Sequence, residues 1–214
     1  MNLQNSLKFF LQEHAKGDQP LLLGLSGGPD SMTLYHLLLQ EGVKFAIAHV
    51  NHNWREESIR EATTLEQMAF QDNISFHLLN LNPKNIKGNL ELECRLERLK
   101  FFKTLCDQFN YQAVILGHHL DDQAETVLKR LFEGAYLTRL TGLKKVNVID
   151  GLKILRPFLV HQKSELLNWL KREQISFFQD ETNENPKFMR GRFRAKIIPY
   201  LNLEFGKNIE KPLN

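Results

Sequence analysis

The string Ser26-Gly27-Gly28-Pro29-Asp30-Ser31, preceded by Leu23-Gly24-Leu25, has the makings of an anion cradle. Paired glycines let backbone N–H groups approach an anion with no Cβ in the way. Ser26 and Ser31 bring hydroxyl donors, and Asp30 brings a carboxylate that can hold a metal. A helix starting at this point would aim its positive dipole end at the same anion. The string is not a Walker A loop, which needs Gly-Lys-Ser/Thr, and not the dinucleotide G-x-G-x-x-G. The plain alternative is an ordinary tight strand-to-helix turn. Two glycines alone would leave that alternative level with the cradle; the full six-residue string weighs against it.

A second cluster is Gly117-His118-His119-Leu120-Asp121-Asp122-Gln123-Ala124-Glu125-Thr126. On a helix, Asp121 and Glu125 are four apart and Asp122 and Glu125 three apart, so these carboxylates neighbour one another. A third is His49-Val50-Asn51-His52, with Trp54-Arg55-Glu56-Glu57-Ser58 close behind. His49/His52 and His118/His119 admit a zinc reading. A His-x-x-His at a strand exit is a weak zinc signal, and no Cys-x-x-C pair supports it.

The positions of these strings follow from the apolar pattern. Leu21 to Leu25, Phe45 to Val50, Ser75 to Leu81 and Ala113 to Leu116 read as strands, and Val146 to Pro157 as one more strand or a hairpin. Between them lie helical stretches: one after Ser31 to about Gln40, Glu56 to Gln71, a stripe of Leu92, Leu96, Leu99, Phe102, Cys106 and Phe109, a helix through Ala124, Val127, Leu128 and Leu131, and Lys163 to Glu173. Leu3, Leu7, Phe10 and Leu11 open the chain as a short amphipathic helix. Strands alternating with helices predict an α/β fold with a parallel sheet and crossover helices. Residues 182–187, a polar TNENPK run, mark the best boundary for a C-terminal appendage, dividing the chain into 1–183 and 184–214.

With 214 residues, 42% of them hydrophobic, the chain has material for a sizeable core, which excludes a disordered or disulfide-dependent miniprotein. Cys94 and Cys106 fall in one helix, about 18 Å apart along its axis, so they cannot bridge. That usage points to a reducing, cytoplasmic compartment. The N-terminus has no secretory pattern, and no apolar run is long enough to span a membrane. Lys+Arg 28 against Asp+Glu 25 gives net +3, which permits a nucleic-acid partner without demanding one.

Ser-Gly-Gly-x-Asp-Ser after a first strand resembles the pyrophosphate (PP) loop of the N-type ATP pyrophosphatases. These adenylate a substrate oxygen, release pyrophosphate and let a nucleophile displace AMP. The strings His49 to His52, Glu93 to Arg98, Gly117 to Thr126, Leu155-Arg156-Pro157-Phe158, Gln179 to Asn183 and Arg190 to Pro199 resemble, in order and spacing, the tRNA(Ile)-lysidine synthase branch over nearly the whole chain. The resemblance implies a doubly wound parallel sheet in which strand four pairs on the far side of strand one, so that residues 26–31 and 117–125 face each other at the switch point. It implies attack of a cytosine oxygen on ATP, then displacement of AMP by free lysine, on the wobble cytidine of an isoleucine tRNA. It implies catalytic roles for Asp30, Arg95, His118, Asp121 and Glu125. Nucleotide contacts would come from Ser26, Gly27, Gly28, Pro29, Asp30, Ser31, His49 and His52, with Mg²⁺ on Asp30. Substrate contacts would come from His119, Asp122, Arg190 and Arg194. A homodimer is left open.

A lysine ε-amine with a pKa of about 10.4 is neutral in roughly one molecule in 2,500 at pH 7, a penalty of about 4.6 kcal/mol. The site must deprotonate or desolvate it. His118, His119, Asp121, Asp122 and Glu125 are the groups on hand, and spacing does not choose the base among them. Near the C-terminus, Lys187, Arg190, Arg192, Arg194 and Lys196 follow the polar run. A solvated helix face accounts for them, and so does a phosphate track in which Arg190 and Arg194 share one face while Phe193 and Ile197 pack on another.

Overall fold

Leu21-Leu22-Leu23 has no polar alternation, as expected of a parallel strand buried on both faces. A computed structural model describes residues 2–54, 57–82, 88–136, 138, 140–179 and 189–209, without the side chains of Glu91, Met189 and Arg190. In it β1 (Leu21–Gly24) lies inside one sheet with β2 (Phe45–Asn51), β3 (Phe76–Asn80), β4 (Val114–Ile115), β5 (Val146–Ile149) and β6 (Leu152–Leu155). The order is β3-β2-β1-β4-β6-β5. All pairings are parallel except β5 with β6, an antiparallel hairpin turned at Asp150-Gly151, both at positive φ. The hairpin settles the question left open by Val146 to Pro157.

The helices are α1 (Leu3–His14), α2 (Pro29–Gln40), α3 (Glu57–Gln71), α4 (Leu90–Phe109), α5 (Leu120–Phe132) and α6 (Lys163–Arg172). After the last comes α7 (Met189–Arg192), a π-helical turn (Phe193–Ile197) and α8 (Ile198–Phe205). One apolar cluster joins α1, α2, α3 and α6 to Leu21, Leu23, Phe45 and Ile47 on one sheet face. A second joins Phe102 and Leu105 of α4 to Leu22, Ala46, Ala48, Val114 and Ile154 on the other. The alternation along β1 and β2 thus divides side chains between two helical layers. A smaller cluster of Leu128, Phe193 and Ile198 seats the C-terminal helical segment on α5. The expected boundary after residue 183 lies outside the described residues.

β1 pairs with β2 on one side and β4 on the other, so the chain direction across the sheet reverses there. The residues leaving the carboxyl ends of β1 and β4 therefore open onto a common crevice.

One expected stripe is corrected. Leu92 and Leu96 are each 49% exposed and Phe109 is exposed too. The inward row of α4 is instead Cys94, Arg98, Phe102 and Leu105, spaced by four, four and three. Both rows meet at Phe102. They diverge toward the start of α4, where the helix lies against the crevice rather than the core, so apolarity no longer selects the inward side.

Candidate active site

The loop after β1 folds on its own hydroxyls. The Ser31 hydroxyl accepts the Ser26 N–H at 3.2 Å and donates to the Gly28 carbonyl at 3.1 Å. The Ser26 hydroxyl lies 3.1 Å from it. Gly27 sits at φ +81°, and the ring of Phe178 occupies the space a Cβ would need there. The Phe178 N–H donates to the Gly27 carbonyl at 2.9 Å, so the segment after α6 braces the loop. Gly28 caps α2 and Pro29 takes its first turn, where a missing N–H costs nothing. Asp30 in that turn favours the helix dipole. The loop is thus a strand-to-helix turn that ends at the start of a twelve-residue helix.

The string after β4 meets this loop directly. A Cβ on Gly117 would stand 2.8 Å from the Asp30 carbonyl oxygen, so glycine lets the two loops touch. His119 is 1% exposed, with Nε2 3.5 Å from Asp30 Oδ2 and 3.5 Å from Asp122 Oδ2. Its Nδ1 is 3.9 Å from Asp121 Oδ2. Its backbone N–H donates to Asp122 Oδ2 at 3.0 Å, which caps α5. Burial lowers the pKa of this imidazole, but Asp30, Asp122 and Asp121 outweigh burial and hold it above the ordinary value of 6.5. His119 thus stands between the carboxylates of both loops, which favour its protonated form. Burial pushes Asp122 up, but His119, His118 and Arg194 together hold it below the usual carboxylate range.

The carboxylates of α5 divide their work. Asp121 Oδ2 accepts the Lys163 N–H at 3.3 Å, at the start of α6. Asp122 and Glu125 both accept from Arg194, whose Nη2 lies 2.9 Å from Asp122 Oδ1 and 3.1 Å from Glu125 Oε2, while its Nε donates to Glu125 Oε1. Glu125 is 2% exposed. Arg194 is thus not presented outward as expected. The π-helical turn that carries it departs from 3.6-residue spacing, and the paired carboxylates draw its side chain inward. Arg192 and Lys196 remain exposed. Lys187 and the side chain of Arg190 lie outside the described residues.

On the other side of β1 the crevice is lined by Gly24, Ser26, His49, His52, Trp54, Ser58, Glu61, Arg98 and Phe102, among others, and encloses about 170 Å³. His49 is buried and its Nδ1 lies 2.8 Å from the Leu25 carbonyl, so Nδ1 carries the proton. Burial lowers its pKa, against the Leu25 hydrogen bond and the Glu61 charge, so it is a neutral brace between β2 and the loop. His52 stacks on Trp54 at 4.7 Å. Asn53, at φ +51°, fixes that turn by donating its N–H to Asn51 Oδ1 at 2.9 Å and its amide to the Leu81 carbonyl at 2.8 Å.

Arg95 is exposed on α4, whereas Arg98, one turn on, lines the crevice. Sequence spacing missed Arg98, Trp54 and Phe178. The inward row from Cys94 could have found Arg98; nothing in the sequence points to Phe178.

The geometry admits a nucleotide whose phosphates lie on residues 26–31. Asp30 Oδ1 is buried without a hydrogen-bond partner among the described residues, an oxygen suited to a cation. Among the described residues no group of three or more His, Cys, Asp or Glu side chains is arranged to hold a metal ion.

Comparison with known proteins decides the family. The PP-loop domain family matches residues 1–201. The chain belongs to the PP-loop family. The match takes in the Ser26–Ser31 string and extends past the π-helical turn that carries Arg194. A protein named tRNA(Ile)-lysidine synthase from Protochlamydia amoebophila is 48% identical over the full chain, which covers 47% of that protein. One of the same name from Chlamydia muridarum is 41% identical over 90% of the chain, covering 60% of its own length. The chain thus spans about half the length of the curated relatives it matches. In solved structures, the U34-tRNA thiolase NcsA of Methanococcus maripaludis superposes with TM-score 0.75 at 17% identity, covering 94% of this chain and 73% of that one. NMN synthetase from Francisella tularensis gives 0.55 at 16%, covering 81% and 68%. These two share the PP-loop fold. No helix among the described residues is long and apolar enough to cross a membrane.

Proposed function

We propose that this chain carries the catalytic machinery of a tRNA(Ile)-lysidine synthase: ATP-dependent joining of free lysine to the wobble cytidine of an isoleucine tRNA, in the cytoplasm. Residues 1–183 would be the catalytic domain and 184–214 a basic extension. The observation that carries the reading is the meeting of Asp30 and His119, 3.5 Å apart, which brings the two family strings into one site. The shared name of relatives 48% and 41% identical supports the substrate class.

Residues 26–31 would hold the ATP phosphates through backbone N–H groups and the Ser26 hydroxyl. Asp30 would hold Mg²⁺, which when bound neutralises charge on the leaving pyrophosphate. His119, its Nε2 3.5 Å from Asp30 Oδ2, joins the two loops that flank the reacting phosphate. The cytosine oxygen attacks the α-phosphate and pyrophosphate leaves; the lysine amine then attacks the adenylated carbon and AMP leaves.

Asp122 and Glu125 are the acceptors a lysine ammonium would seek, and Arg194 already holds both. Lysine must therefore share or displace that guanidinium. This links the C-terminal segment to lysine use.

The test is incubation with ATP, labelled lysine and an isoleucine tRNA with a CAU anticodon. Label in the tRNA with AMP as the nucleotide product supports the reading. ADP as product contradicts the adenylation step. AMP formed at full rate without tRNA shows a small-molecule acceptor.

A further inference from the structure

Arg156 follows β6, in the Leu-Arg-Pro-Phe string whose role the site does not explain. It is 6% exposed. Its Nη1 donates to the Lys144 carbonyl at 3.0 Å and its backbone N–H to the Lys145 carbonyl at 2.8 Å. Its Nε is buried with no hydrogen-bond partner among the described residues. β6 is parallel to β4, so Arg156 stands at the same carboxyl edge of the sheet as the crevice. α4 begins at that edge and packs against β6, with Phe102 and Leu105 in one apolar cluster with Ile154.

Two charges that act on Arg156, those of Arg95 and Arg98, are of its own sign. Burial first, then the Arg95 and Arg98 cations, push its pKa down to about 10. A guanidinium is kept charged and buried beside two others only at a cost. An anion placed among them would remove that cost and satisfy the orphaned Nε. Planar guanidinium forks suit phosphate oxygens best.

We propose that Arg156, with Arg95 and Arg98 of α4, forms a second phosphate-binding site at the carboxyl edge of the sheet, beside the PP-loop crevice. It rests on the function proposed for this chain, in which the substrates are a nucleotide and a polynucleotide. Its ligand is a phosphate group, either of ATP or of the RNA backbone next to the target base.

The test compares parent, R95A and R156M proteins. Dissociation constants are measured for Mg-ATP and for a synthetic anticodon stem-loop RNA with a CAU loop, over a range of salt, together with Tm. Each variant should weaken one of the two ligands about tenfold, the effect of removing one charge-assisted hydrogen bond. If the RNA is affected, the log–log salt slope should fall by about 0.7–0.9. R156M should keep the parent Tm or exceed it, because a buried like-charge contact is gone; an arginine with only a structural role would give the opposite pair of results. Weakening confined to RNA identifies a backbone phosphate, and weakening confined to ATP identifies the nucleotide. Unchanged affinity for both ligands in R95A and R156M overturns the site. If R156M does not fold, the exposed Arg95 decides it alone. A parent that binds ATP but no stem-loop contradicts the tRNA reading, and the ATP arm still decides the phosphate site.

Discussion

Arg194 Nη2 lies 2.9 Å from Asp122 Oδ1, joining a residue of the C-terminal segment to one 72 positions earlier at the start of α5. The same guanidinium reaches Glu125, so one cation is shared between two carboxylates of the motif. Arg194→Ala would leave both without that partner, Glu125 buried. Removing one side of such a pair costs about 3 kcal/mol. The expected outcome is a lower Tm and an altered KM for lysine, with the salt slope of tRNA binding unchanged. A flattened salt slope at unchanged Tm would return Arg194 to the role of a surface phosphate contact.

Gly117→Ala tests the contact between the loops. The new Cβ would meet the Asp30 carbonyl oxygen at 2.8 Å, which is backbone and cannot yield without moving the start of α2. AMP formation should fall at least about tenfold, with circular dichroism and solubility retained; an active-site displacement of this size has large kinetic effects. Parent-like turnover would show that the two loops need not touch.

An α/β fold with a parallel sheet and crossover helices was legible in the sequence because strand and helix patterns alternate cleanly from Leu21 to Leu116. The doubly wound order, and with it the meeting of the Ser26–Ser31 and Gly117–Thr126 strings, came only with the family resemblance, because alternation does not say on which side of β1 the fourth strand pairs. What was not legible depends on side-chain direction at the crevice. Arg95 and Arg98 differ by less than one turn of helix, and only packing at Phe102 selects which faces inward. Arg194 reads as a surface cation until the π-helical turn and the α5 carboxylates are placed. Phe178 braces Gly27 through space, and nothing local to either residue announces it.

The site should have a pH window. His119 has its pKa raised in the folded protein, so its contribution is complete below about 6.5 and is lost as pH rises through the raised value. Asp122 has its pKa lowered, so its contribution is present above about 3.8 and is lost as pH falls through the lowered value. Tm should therefore decline on the alkaline side as His119 loses its proton, and His119→Asn should remove that limb. An alkaline limb identical in the variant would assign it to another group.

Trp54, 43% exposed at the crevice mouth, is a natural reporter, since the only other tryptophan, Trp169, is buried in α6. In a Trp169→Phe background, Mg-ATP should change Trp54 emission, while inorganic pyrophosphate should do so weakly if only the base approaches the ring. An emission spectrum indifferent to saturating ATP would place the nucleotide away from Trp54 and His52.

If Ser26–Ser31 and His118–Glu125 together build a lysine-adding, AMP-forming site, tRNA-dependent incorporation of labelled lysine by the parent and by Asp30→Ala will reveal it. The parent should transfer lysine to the CAU-anticodon isoleucine tRNA with one AMP and one pyrophosphate per lysine. The Asp30→Ala protein should do neither while keeping its fold. Lysine transfer undiminished in Asp30→Ala, or ATP cleaved to ADP by the parent, would contradict that assignment.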